Sequence, residues 1–118
     1  MNQNIGKLQD LITKEIIKFE KEYLGRGPEQ CKTFIIEDMV IVRLSGILTK
    51  AEQQLCSKSD DAILVKQIRI KLIENSRNIL EQIIYNVLNI QVKSIHTDLS
   101  TKNDERIIVF ILEDFVKV

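Results

Sequence analysis

The stretch CKTFIIEDMVIVRLSG, from Cys31 to Gly46, decides the architecture. Apolar and β-branched residues crowd both halves, and Glu37-Asp38 divides them. The segment therefore reads as a β-hairpin with strands Cys31–Glu37 and Met39–Gly46. Its central dipeptide is not the favoured Asn-Gly, which leaves the turn type open. Parity carries the larger message. Phe34-Ile35-Ile36 and Met39-Val40-Ile41-Val42 are apolar at successive positions, and Ile107-Ile108-Val109-Phe110-Ile111-Leu112 repeats the pattern. A sheet with one wet face alternates polar and apolar instead. Both faces of this sheet call for cover.

Upstream of the hairpin, Ile5, Leu8, Ile12, Ile16, Phe19 and Tyr23 recur at helical spacing and predict a helix from Ile5 to Leu24. Gly25 stands where a left-handed C-terminal cap belongs, and Pro28 blocks resumption of the helix. Downstream, Thr49-Lys50-Ala51-Glu52 fits a capping box and opens a short helix ending near Cys56. A polar break, Ser57 to Asp61, follows. Leu64, Ile68, Leu72, Ile79, Ile83 and Val87 then form a stripe that predicts a helix reaching Leu88, weakest at Asn75-Ser76. Lys66, Arg69, Lys71 and Arg77 read as its solvated face.

Strands from Ile90 to Asp98 and from Glu105 to Glu113 complete the chain, joined by a polar loop through Ser100-Thr101-Lys102-Asn103-Asp104. The order α-ββ-αα-ββ predicts an α+β fold: one antiparallel four-stranded sheet of two hairpins, packed with about three helices. We expect a single domain over residues 1–118. Three helices cover one face of such a sheet. The other face is expected to be buried in a homodimer, unless the long helix or the tail Asp114 to Val118 wraps round it.

Seventeen basic and 17 acidic residues give a formal net charge of zero, which argues against a nucleic-acid binder. No apolar run approaches the ~20 residues that cross a bilayer. Met1-Asn2-Gln3-Asn4 lacks a leader's basic-then-apolar pattern. Cys31 and Cys56 have no zinc spacing and read as free buried thiols. The expectation is a cytoplasmic protein without membrane insertion, metal or cofactor.

His96 is the only histidine, and Asp98 shares its strand face. The pair lacks the nucleophile of a triad and the third ligand of a metal site. It is a structural pair, a contact for a ligand or partner, or an acid/base group; Asp98 also suits a loop cap. Ser100 and Thr101, with Lys102 and Arg106 nearby, make either an anion pocket or a solvated loop. Arg43 interrupts an apolar strand, so it either snorkels outward or joins an ion pair. Gly25-Arg26-Gly27-Pro28 follows a helix and lacks phosphate-loop spacing. Its glycines serve the helix exit, which leaves Arg26 for an acidic partner or an anion. No residue is assigned a catalytic role.

The run from Gly25-Arg26-Gly27-Pro28 through Asp38 to Leu44, Gly46 to Thr49 and Glu52, with Ile95 to Thr101 and Glu105 to Phe110, resembles a bacterial family. That family is the C component of the sodium-translocating membrane-potential-generating system. The resemblance implies a small cytoplasmic protein linked to membrane proteins like ion-pumping complex subunits, which are tied to membrane potential and inorganic-carbon uptake. Its pattern falls on Gly25, Arg26, Gly27, Pro28, His96, Thr97, Asp98, Ser100 and Thr101, and brings no catalytic roles. The polar segment Ser57 to Asp61 departs from it by lacking a glycine. Taken with the residues, the resemblance predicts a dimeric accessory protein that binds a membrane-associated partner or a small anion through Arg26, His96 and Asp98.

Overall fold

The computed structural model describes residues 4–117; the readings made on Met1 to Gln3 and on Val118 lie outside them. Helix α1 (Ile5–Tyr23) leads into strands β1 (Gln30–Ile36) and β2 (Met39–Ser45). Helices α2 (Lys50–Leu55), α3 (Ser59–Asn75) and α4 (Arg77–Leu88) follow, then β3 (Val92–Ser100) and β4 (Glu105–Leu112). The predicted order holds. The four strands form one antiparallel sheet in the order β1-β2-β4-β3, so each hairpin contributes one central and one edge strand.

Local chemistry sets each boundary. Asn4 caps α1 by accepting a hydrogen bond from the Gly6 amide, and Gly25, at φ +91°, ends the helix. Thr49 and Glu52 form the reciprocal capping box of α2. Glu37 takes a positive φ of 56° in the tight turn between β1 and β2. The long second-half helix is interrupted at Ser76, which separates α3 from α4 and gives four helices among the described residues. The third strand begins at Val92, later than the expected Ile90, and runs past its expected end at Asp98 to Ser100. The turn is confined to Thr101 through Asp104.

One face of the sheet holds the core. Val40, Val42, Leu44, Ile108, Phe110 and Leu112 from the central strands are buried against Leu8, Ile12, Ile16 and Phe19 of α1, Val65 and Ile73 of α3, and Leu80 and Ile84 of α4. The other face stays open: Phe34, Ile36 and Ile107 are 37%, 49% and 39% exposed. The tail from Asp114 to Lys117 does not cover it. Val116 donates its amide to the Glu37 carbonyl at 3.0 Å and packs on the helical side, beside Leu8, Val87 and Leu88.

Helix α3 overturns the expected stripe. Leu64, Ile68 and Leu72 point to solvent, whereas Val65, Arg69 and Ile73 point inward. Its sequence is apolar on nearly every side, so hydrophobic period alone could not choose the face. The choice falls on the face with Arg69, only 3% exposed and therefore no part of a solvated surface.

Candidate functional site

Three connections meet at one end of the sheet: Gly25 to Glu29, Gly46 to Thr49, and Thr101 to Asp104. The middle one is held from both sides. Asp104 Oδ1 accepts from the amides of Ile47 and Leu48, each at 2.9 Å, and its carbonyl accepts from the Gly46 amide at 2.9 Å. Arg26 Nη1 donates to the Leu48 carbonyl at 3.1 Å, joined by Gln53 Nε2 at 3.2 Å. Arg69 Nη2 donates to the Ile47 carbonyl at 3.1 Å. Gly46 has φ +65°, and a Cβ there would run into the Glu29 side chain, so the position suits glycine. Arg26 is therefore committed to this chain's own backbone, with Glu29 a looser partner at 3.9 Å.

Beneath this junction lies a cluster of four ionisable side chains. Glu20 of α1 and Arg106 of β4 are 0% and 1% exposed, with Oε2 and Nη1 3.5 Å apart. Arg106 Nη2 donates to the Arg69 carbonyl at 3.1 Å, and Arg69 Nε donates to Glu52 Oε2 at 2.9 Å. Two carboxylates and two guanidiniums balance. Burial pushes the Glu20 carboxyl up, against the pull of Arg106 and Arg69, and lowers Arg106. Glu52 moves the other way. Burial would raise it, but the hydrogen bonds from Arg69 and Thr49 with the Arg69 charge hold it below the ordinary carboxylate value. Burial, with Glu20 nearby, pushes the Cys31 thiol up to about 12, so it is no ready nucleophile.

The remaining sequence candidates lie elsewhere. His96 and Asp98 project from edge strand β3, opposite in parity to buried Leu99. They do not bond each other: His96 Nε2 lies 3.1 Å from Ser94 Oγ, and Asp98 pairs with Lys66 Nζ at 3.1 Å. The Leu99 amide, then Lys66, holds the Asp98 carboxyl below its usual value. Arg43 lies on the open face and pairs with Glu105 at 2.8 Å. Ser100 Oγ accepts from the Asn103 amide at 3.2 Å, and Thr101 opens the turn. Arg106 does not join them, because β4 turns it into the core.

A cleft of about 500 Å³ between α3 and β3 is lined by Ile70, Ile73, Glu74, Arg77, Ile95, His96 and Thr97. Arg77 already pairs with Glu81 at 2.8 Å. Sequence reasoning passed over Glu20, left Asp104 as one residue of a polar loop, and placed Arg69 on a solvated face when it is buried. Glu20 offered one signal: it follows Phe19 on the inward side of an amphipathic helix.

These features define a small α+β protein with one sheet face covered and the other open. Among the described residues, no three His, Cys, Asp or Glu side chains are placed to hold a metal, and no helix is long and apolar enough to cross a membrane. The chain belongs to the family described as the Na+-translocating membrane potential-generating system (MpsC), which matches residues 4–114. It is similar to a Bacillus subtilis (strain 168) protein named Uncharacterized protein YbcI, with 43% identity over 112 residues, 95% of this chain and 90% of that one. A second B. subtilis (strain 168) protein, named Uncharacterized protein YrhF, is 31% identical over 75 residues, 64% of this chain and 58% of that one. No solved structure gives a significant match.

Proposed function

We propose that this chain is a non-enzymatic accessory component of a membrane-potential-generating, ion-translocating system, acting in the cytoplasm by self-association and by binding a membrane-associated partner. Family membership supports the system. One observation carries the contact: Ile63, Leu64, Ile68 and Leu72 of α3 are 56%, 51%, 50% and 38% exposed, an apolar strip of the kind that marks an interaction surface. A tagged chain recovered from gently solubilised native membranes should bring an ion-translocating membrane subunit with it. Ile68→Asp should lose that subunit while folding stability stays within about 0.5 kcal/mol, as for other surface changes. Equal recovery by both proteins would show that the strip is not the contact, and a wild type that brings no membrane subunit would sink the reading.

The cleft between α3 and β3 favours a second reading, a small ligand-binding sensor or enzyme that uses His96 and a nearby arginine on an anion. A ligand at 100 times its dissociation constant stabilises by about 2.7 kcal/mol. Inorganic phosphate or sulfate should then raise the melting temperature of the wild type and leave that of His96→Ala unmoved. Identical curves for the two proteins across the anion series would rule this reading out.

A further inference from the structure

The open sheet face has a polarity map that selects what covers it. Strand register places its side chains in four rows, each running β1-β2-β4-β3. Ile36, Met39, Ile111 and Ser94 form the row nearest the β1–β2 turn. Phe34, Ile41, Val109 and His96 form the next, then Lys32, Arg43, Ile107 and Asp98. Gln30, Ser45, Glu105 and Ser100 close the far end. The face is apolar at one end and charged at the other. Within the third row it is basic on the β1 side and acidic on the β3 side.

We propose that this face is occupied by a second copy of the chain, stacked sheet on sheet about a two-fold axis that runs parallel to the strands between β2 and β4. Such an axis keeps each row against its own counterpart and exchanges left for right. The apolar rows then meet each other: Ile41 faces Val109 of the second copy, and Met39 faces Ile111. Lys32 faces Asp98 of the second copy at both edges of the interface. Asp98 remains 76% exposed at the side chain despite Lys66, so its carboxylate is presented outward. A two-fold axis across the strands sets the apolar rows on the charged ones, Ile111 on Glu105 and Arg43 on Ile41, and so desolvates charge along the whole face, whereas the parallel axis opposes a charge to an apolar side chain only at Arg43 and Ile107. Aligned stacking of two sheets about 10 Å apart is the ordinary geometry of β-sandwiches. Among the described residues, no other part of the chain competes for the face. The helices and the residues up to Lys117 lie on the other side or beyond its edges.

This deepens the self-association part of the proposed function and rests on it. Light scattering at micromolar concentration should give twice the 13.7 kDa chain mass. Ile41→Glu, at the centre of the face, should give the single-chain mass with circular dichroism unchanged. Lys32→Glu and Asp98→Lys should each weaken association by roughly 100-fold, since like charges set face to face cost several kcal/mol. The double variant Lys32→Glu/Asp98→Lys should restore it, although it, like Asp98→Lys, lacks the pair with Lys66. A wild-type monomer overturns self-association itself. A dimer indifferent to Ile41→Glu overturns this interface and leaves self-association standing. Loss in both charge variants without rescue in the double overturns the axis.

Discussion

Arg106→Met is expected to lower folding stability by about 3–5 kcal/mol, the cost of removing one partner from a buried ion pair. Arg106 is 1% exposed and lies against Glu20, which is fully buried. Without the guanidinium, Glu20 keeps the burial that disfavours its charge and loses the largest attraction opposing it. The defect should therefore depend on pH. Glu20 already has a folded pKa above its ordinary value of 4.5. Between those two values the folded chain holds a proton that the unfolded chain releases, so stability falls as pH rises through the window. Loss of Arg106 widens the window upward. Urea denaturation should find the variant's deficit larger near about pH 8 than near about pH 5. Glu20→Leu combined with Arg106→Met should recover most of the loss, because a well-packed apolar pair removes both desolvation costs. A deficit under about 1 kcal/mol that does not change with pH would show that the pair is not held as a charged unit.

Asp104→Ala should cost about 2–4 kcal/mol, since two amides in a buried segment lose their acceptor at once. Ile47 and Leu48 are each 1% exposed, so water cannot readily replace the carboxylate. Asp104 also sits at φ 50°, a conformation that alanine resists and that Asx residues tolerate. Asp104→Asn keeps an oxygen acceptor and the backbone preference, and should cost less than half as much. Asp104→Gly relaxes the backbone but supplies no acceptor, and should fall between the two. Thermal denaturation of the three variants separates the contributions. A glycine variant as stable as wild type would mean the carboxylate's hydrogen bonds contribute nothing.

The hairpin was legible because Glu37-Asp38 is the only pair of adjacent polar residues between Phe34 and Leu44, and the structure turns there. The capping box at Thr49 and Glu52 was equally plain, since local spacing dictates it. The inward face of α3 was not, because a helix apolar all round fits several stripes. Arg69 decided it, by bonding to Glu52 and to the Ile47 carbonyl across the packed layer. Arg106 was read with the loop it adjoins, because arginine is so seldom fully buried. The signature residues were found as a pattern, and their work was not. Arg26 ties down a backbone carbonyl, His96 and Asp98 bond to different partners, and Asp104 lies just outside the pattern while holding the junction together.

The four charges at Glu20, Glu52, Arg69 and Arg106 come from one end of the chain to the other, on α1, α2, α3 and β4. None of the four finds its neutralising company within its own helix or hairpin. A partly assembled chain would strand at least one charge away from water, so the cluster discourages intermediates in which only half of the layer has docked. Its closure requires the large loops between these segments to be drawn in, so it is expected to close late. Arg106→Met should then speed unfolding more than it slows folding in a denaturant-jump experiment. An interaction absent from the transition state governs how fast the native form opens. The buried cluster thus acts as a clasp on lifetime: it sets how long the folded chain persists more than how quickly it is reached.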